Sequence, residues 1–379
     1  MRSDWLVDHL ALARSATDRD AQRRSDPGLL KALAADPATR LLLVDARGRV
    51  ALDASARCSD PPEDGLVPPD TVGTGASVWE GYPEETGFRL PDLGPEDLDL
   101  EGLSTFYLGR DKPEDGTGPQ VGGPGWLAVV VPQGLEVPEA PGQPRGGADA
   151  EGAGTDHPDL RRVLGRHPLT ALRTTGAQMS VRDSGLAVTA SALAAWHSSS
   201  RYCPACGGRT LAVQAGWARR CSGCQAVHFP RTDPAVIMAV TDDADRLLLV
   251  HGASWEDRRY SVVAGFVEAG ESVETAVRRE VWEETGLRVE EVSYLVSQPW
   301  PFPRSLMLGY RARLAPGENL ARPDGEEVTG AVIVSREELA RAVAQRSIVL
   351  PGRASLGRLL IEDWFRGQVS RSTRGTSPD

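Results

Sequence analysis

Glu280, Glu283 and Glu284 follow the spacing i, i+3, i+4, which places three carboxylates on one face of a helix. Like charges at that distance repel unless a cation neutralises them. A hard divalent ion with oxygen ligands, Mg²⁺ or Mn²⁺, is the natural partner, and such ions usually also grip substrate phosphates. Spacing alone would equally suit a solvated acidic face. Val273, Ala276, Val277, Val281 and Leu287 favour the cleft, because they form an apolar stripe that packs the helix on a sheet. Ser272 is a suitable N-cap, with Thr275 at N3, and Gly286 suits the left-handed residue that ends such a helix. Ahead of it, Gly265 to Glu271 reads as a glycine-flexed loop.

A second constellation lies upstream. Cys203-Pro-Ala-Cys206 and Cys221-Ser-Gly-Cys224 are two C-x2-C pairs separated by fourteen residues, a spacing that lets four thiolates enclose one Zn²⁺ tetrahedrally. Gly207, Gly208 and Gly223 supply the tight turns of each knuckle. A site closed by four thiolates keeps no open coordination position, so the zinc is expected to be structural, one per chain. The competing readings are a nucleic-acid-reading ribbon and a redox pair. His228 is expected to pack or hydrogen-bond beside the ion, and the lone Cys58 to be an inert thiol.

Elements that could hold these groups are legible around them. Leu41 to Asp45 and Val50 to Leu52 read as a hairpin, with further strands at Thr105 to Gly109 and Trp126 to Val131. A helix over Ala187 to His197 leads into the cysteines. Beyond them, strands are expected at Ala235 to Val240, Arg246 to Val250, Tyr260 to Val263, Val289 to Ser297, Leu306 to Leu314 and Ala331 to Val334. Helices are expected at Val273 to Thr285, Arg336 to Ala344 and Ser355 to Phe365. The irregular order of strands and helices argues for an α+β chain built on a sandwich, not a regular βαβ wind. No internal repeat is visible.

The chain of 379 residues carries a formal net charge of −11, which disfavours a general nucleic-acid coat but leaves a local basic surface open. Forty glycines and 28 prolines imply long loops, and Pro132 to His157 looks like a linker or insertion. Apolar runs are too short for a membrane span and the N-terminus has no clean signal-peptide pattern, so the expected location is cytoplasmic. The expected organisation is a β-rich N-terminal domain with loop insertions over 1–175, a zinc ribbon over 198–230, a catalytic domain over 231–367 and a disordered tail over 368–379.

From Gly265 to Leu287 the sequence reads G-x5-E-x7-R-E-U-x-E-E-x-G-U, where U is aliphatic, with every fixed position met. It resembles the box of the Nudix hydrolases, which implies an α/β/α sandwich that hydrolyses a nucleoside diphosphate linked to another moiety. By resemblance, Glu280, Glu283 and Glu284 are metal ligands or the base that activates water, and Arg279 pairs with Glu271 to brace the loop. Ser297-Gln298-Pro299-Trp300-Pro301-Phe302-Pro303-Arg304-Ser305 is similar to the signature of the NADH pyrophosphatase subfamily. Three prolines hold it extended, with Trp300 and Phe302 set for stacking and Gln298 and Ser305 for hydrogen bonding. The same resemblance makes the Ala264 carbonyl and Glu327, next to Glu326, metal ligands, and Phe266 a stacking partner. Phe229 stands where many members have a substrate-contacting Tyr, and Gly357 where an Ala backbone contacts substrate.

The resemblance therefore implies hydrolysis of NADH or NAD to nicotinamide mononucleotide and AMP with Mg²⁺ or Mn²⁺, extends to removal of NAD caps from RNA 5′ ends, and implies a homodimer. One alternative is a Nudix hydrolase of ADP-ribose or diadenosine polyphosphates, against which the Ser297 to Ser305 segment argues. Another is a non-catalytic nucleic-acid-binding zinc-ribbon protein, against which the intact Glu280, Glu283 and Glu284 argue.

Overall fold

The computed structural model describes Leu6 and residues 10–54, 87–112, 123–135 and 157–367. Cys58, most of the expected linker and the tail over 368–379 lie outside the described residues. Two sheets organise the chain. The first runs in the order Thr17–Asp18, Ser104–Asp111, Gly125–Val130, Arg40–Val44, Val50–Ala51, Leu169–Thr170. The second runs Val289–Trp300, Ser305–Leu314, Asp233–Thr241, Leu247–Gly252, Val328–Val334, with Val263–Phe266 paired to Asp233–Thr241.

Side chains alternate across a strand, so a strand buried on both faces must be apolar at every position. Arg40–Val44 shows this. Leu42 and Val44 join a cluster with Leu186, Ala190 and Leu193 of the helix Val181–Ser199, whereas Leu41 and Leu43 join Leu29, Leu33, Leu160 and Val163 on the other side. The second sheet repeats the arrangement. Val236, Met238 and Val240 face Ala276, Val277 and Val281 of the helix Val273–Thr285, while Ile237 and Ala239 face Leu339 of the helix Arg336–Ala344 and Leu359 of the helix Leu356–Arg366. Each sheet is thus the middle layer of an α/β/α sandwich.

The sequence reading of the N-terminal region as β-rich omitted the helices Leu29–Ala35, Pro158–Arg166 and Leu172–Thr175, and the helix expected from Ala187 begins six residues earlier, as Val181–Ser199. The last of these packs on the first sheet, so that packing unit runs past residue 175. Leu6 and Leu10 cross to the second sandwich and pack with Leu359 and Leu360.

No internal repeat is visible in the sequence, yet the strand topology is duplicated. In both sheets the last five strands pair antiparallel, parallel, antiparallel, antiparallel, and the chain visits them in the same order. The shared hairpin matches in atomic detail. Asp45 Oδ1 accepts from the backbone N–H of Arg47 and Arg49 while its Oδ2 accepts from the Arg49 guanidinium. Asp242 does the same toward Ala244 and Arg246. Gly48 and Asp245 take the same left-handed position at φ 75 and 57. The two turns share Asp and Arg at matched positions, Asp45 with Asp242 and Arg49 with Arg246, too little to register as a repeat in sequence.

Most other elements lie within a few residues of their expected places. One strand shifts: Tyr260 to Val263 was the expected span and Val263–Phe266 is observed, with Ser261 forming only an isolated bridge to Val250. No helix among the described residues is long and apolar enough to cross a membrane.

Candidate active site

Ser272 caps the helix Val273–Thr285 by accepting from the Thr275 N–H at 3.2 Å, and Gly286 ends it in the left-handed region at φ 67. The apolar stripe Ala276, Val277, Val281 is fully buried. That seating fixes the carboxylates. Glu280 and Glu284 are each only 7% exposed, whereas the side chain of Glu283 is 56% exposed at the rim. The spacing placed all three on one face, but the sheet buries only the two nearest the stripe.

Arg279 organises the loop ahead of the helix. Its Nε and Nη2 donate to the two Glu271 oxygens at 2.9 Å each, Nη1 donates to Glu280 and Glu283 at 2.9 Å, and Nη2 also reaches the Phe266 carbonyl at 2.8 Å. A planar fork saturated in this way is what a guanidinium provides and an ammonium does not. It holds the Glu271 carboxyl below the ordinary range, while its own pKa is raised. The backbone of Gly265 lies directly against the Glu280 carboxylate, where only glycine leaves room.

A cavity of about 360 Å³ opens at this end of the sheet, lined by Gly252, Trp255, Ala264, Glu284, Glu326 and Glu327 among others. Burial, followed by the charges of Glu280, Glu327, Asp324 and Glu283, pushes the Glu284 carboxyl up to about 8. Burial raises Glu280 as well, with Glu283 and Glu327 adding to it against the pull of Arg279. Oε2 of Glu284 is buried without a hydrogen-bond partner. A buried carboxylate with an orphaned oxygen, ringed by further carboxylates, is costly unless a cation completes it. The residues present therefore fit a hard divalent ion, with oxygen as the only donor type.

Other residues singled out by sequence are more scattered. Phe266 and Phe229 are exposed, at 58% and 62%. Gln298, expected to hydrogen-bond, is fully buried, its amide donating to the Ala354 carbonyl at 3.0 Å and accepting from the Leu356 N–H at 2.9 Å. Trp300 and Phe302 pack edge to face at 5.0 Å and lie against the cluster of the first sheet, with the Arg173 guanidinium over the Phe302 ring. Both rings are half-buried there. Pro301 is buried, Pro299 and Pro303 are exposed, and Ser305 is half-buried. Arg304 donates to Asp233 at 2.7 Å. Gly357, at the start of the last helix, donates to Ser355 Oγ and is packed closely against Ser261.

Sequence reasoning missed Trp255, Gly252 and Asp324. Asp324 accepts from the N–H groups of Glu326, Glu327 and Val328 and so shapes the loop that presents Glu327. An Asp-Gly pair ahead of two acids was the available signal. A Cβ on Gly252 would lie 2.8 Å from the Trp255 indole, so the ring rests on bare backbone as a wall of the cavity. Nothing in the spacing announced it.

The four cysteines upstream offer sulfur atoms that all lie within 4.8 Å of one another, as one tetrahedral ion requires. Backbone N–H groups of Cys224 and Gly223 hold the Cys221 thiol below its ordinary range, while the Cys224 thiol, against the pull of the Ala226 N–H, is pushed up by the neighbouring sulfurs. His228 Nε2 sits 3.3 Å from Cys203 Sγ. A three-stranded sheet of Thr210–Val213, Ala218–Cys221 and Val227–His228 carries the cluster. Its turn docks on the first sandwich through the Trp217 indole, which donates to the Tyr107 carbonyl at 2.7 Å.

Residues 231–351 match the NUDIX domain family, and residues 198–229 match the family described as NADH pyrophosphatase zinc ribbon domain. The chain is 44% identical over 201 residues to a Mycobacterium bovis protein named NAD-capped RNA hydrolase NudC, a match covering 51% of this chain and 64% of that one. It is 35% identical over 227 residues to the NAD-capped RNA hydrolase of Schizosaccharomyces pombe, covering 53% and 60%. Nudix hydrolase 19, chloroplastic, of Arabidopsis thaliana is 42% identical over 175 residues, covering 44% and 40%. The chain thus spans less than two thirds of the length of each of these relatives. Residues 198–351 are accordingly a Nudix domain led by a zinc ribbon of the NADH pyrophosphatase kind.

Proposed function

We propose that the protein hydrolyses the pyrophosphate bond of NADH and NAD to nicotinamide mononucleotide and AMP, and cleaves the same bond in the NAD cap of an RNA 5′ end. The observation that carries this reading is the buried Glu280–Glu284 pair, with its orphaned oxygen, set in a fully matched box beside a cavity large enough for a diphosphate. The named relatives support the choice of substrate.

Glu280, Glu283, Glu284, Glu327 and the Ala264 carbonyl would hold Mg²⁺ or Mn²⁺. Those ions supply neutralising charge for the pyrophosphate oxygens and lower the pKa of water. A carboxylate of the cluster takes the proton from the attacking water, which adds to one phosphorus as the bridging oxygen leaves with the other. Arg279 and Glu271 keep the loop and helix in register so that this geometry persists. Phe266 and Phe229 are assigned to stack on the dinucleotide rings, and Trp255 to close the cavity. For Gln298, Pro299, Trp300, Pro301, Phe302, Pro303, Arg304, Ser305 and Gly357 the reading is that one segment shapes the substrate cleft, with Gln298 acting through the backbone of Ala354 and Leu356. A cytoplasmic homodimer with one structural Zn²⁺ per chain completes the proposal.

The test is chromatography of products after incubation with Mg²⁺ or Mn²⁺ and, separately, NADH, NAD, ADP-ribose and a diadenosine polyphosphate. Reduced nicotinamide mononucleotide with AMP is the expected result, absent in Glu284→Gln. Cleavage of ADP-ribose alone would refute the substrate, and no cleavage would favour a binding protein.

A further inference from the structure

Between Asp183 and Asp233 the chain has no acidic residue, and the segment holds five arginines, in a protein of net charge −11. Four thiolates and one Zn²⁺ offset part of that positive charge, yet the thiolates sit at the knuckles and the arginines elsewhere. Register places the charges. In the ribbon sheet Leu211 pairs with Arg220 and Arg220 with Val227, and Tyr202 bridges Arg209. Directly paired residues project to the same face, as do residues two apart along a strand. Tyr202, Arg209, Leu211, Arg220, Val227 and Phe229 therefore share one face.

All six are exposed, Tyr202 at 69% and Phe229 at 62%. The opposite face is spent on the fold: Arg219 donates to Thr210 and to His197. Among the described residues no carboxylate forms an ion pair with Arg209 or Arg220. An open sheet that offers two aromatic rings, two unneutralised guanidiniums and aliphatic spacers suits a polyanion with flat unpaired bases.

We propose that this ribbon face binds single-stranded RNA, holding the nucleotides that follow a capped 5′ end through phosphate contacts to Arg209 and Arg220 and base stacking on Tyr202. The inference rests on the reading of a 5′-end hydrolase given above and adds where the rest of the strand lies. It predicts that Tyr202, Arg209 and Arg220 matter for capped RNA and not for the free dinucleotide, which keeps Phe229.

The experiment uses the full, zinc-loaded chain and a fluorescent twelve-nucleotide single-stranded RNA without a cap, read by anisotropy over a salt series. Arg209→Glu combined with Arg220→Glu, both at exposed positions, should weaken binding at least about tenfold at low salt and reduce the salt slope by about 1.4, near 0.7 for each lost phosphate contact. Tyr202→Ser should weaken it without changing the slope. Turnover of free NADH should stay at the parent rate, while the ratio of kcat/KM for NAD-capped RNA to that for free NAD should fall. Unchanged RNA affinity in the double variant, or no RNA binding by the parent, overturns the proposal. So does a change of oligomeric state by light scattering with RNA binding intact, which would make the face an interface between copies. Failure of the parent to cleave NADH would instead refute the catalytic reading and leave the RNA result to stand by itself.

Discussion

Replacing Gly265 by Ala tests the geometry of the carboxylate cluster through a single methyl group. A Cβ built there would lie 1.9 Å from the Glu280 Cδ and 2.1 and 2.2 Å from its oxygens, whereas ordinary contact begins at 3.4 Å. The Glu280 carboxylate must move by about 1.5 Å, the difference of those distances. Arg279 holds that carboxylate at 2.9 Å and is itself clamped by Glu271, so the movement breaks the brace as well. Misplacement of a catalytic group by about 1 Å can reduce a rate about 100-fold. Gly265→Ala should therefore lower kcat on NADH at least that far, while its backbone, outside the left-handed region, adds no strain of its own. Gly270→Ala is the contrast: φ is 86 there and nothing lies within 4 Å, so stability should drop by about 1–2 kcal/mol with most activity retained. Parallel turnover assays and circular-dichroism melts distinguish the two. Activity of Gly265→Ala within threefold of the parent, with an unchanged melt, would refute the reasoning.

Other expectations follow from the same site. Because burial raises the Glu284 pKa from 4.5 to about 8, the metal-free protein favours the protonated form. That contribution to stability is full below the ordinary value and is lost as pH rises through about 8. Melts of metal-free protein should thus fall in temperature between pH 5 and pH 8.5, and Glu284→Gln should flatten the dependence; a rising melt would contradict it. Mn²⁺ affinity measured by calorimetry should strengthen about tenfold per pH unit below 8, since binding releases one proton. Trp255→Ala should raise the KM for NADH about two- to twelvefold by loss of ring contact, with Trp255→Phe recovering most of it; equal loss of kcat in both would point to a folding role. Cys206→Ser should abolish the single bound Zn²⁺, measured by atomic absorption, and lower the melting temperature.

Sequence disclosed the chemistry better than the architecture. Glu280, Glu283 and Glu284 announce themselves because helical spacing and an apolar stripe constrain each other within a few residues, and the cysteines do so because metal geometry limits their separation. Which acids would be buried was not legible, since the depth of Glu283 depends on a sheet assembled from strands 233–241 and 328–334. Trp255 was invisible for a similar reason, because its wall exists only where Gly252 leaves backbone bare. The duplicated topology escaped as well: apolar alternation can be met by many residues, and the chemistry shared by Asp45 with Arg49 and Asp242 with Arg246 spans a single short turn. That Gln298 would hydrogen-bond was legible, but not with what, because its partners, Ala354 and Leu356, lie 56 and 58 residues away.

The most direct test of the catalytic account is hydrolysis of NADH with Mn²⁺ in ¹⁸O-labelled water, with products resolved by mass spectrometry. The account predicts equal amounts of reduced nicotinamide mononucleotide and AMP, one ¹⁸O in the phosphate of a single product, and no products from Glu284→Gln. Release of nicotinamide without cleavage of the pyrophosphate, or undiminished cleavage by Glu284→Gln, would contradict it.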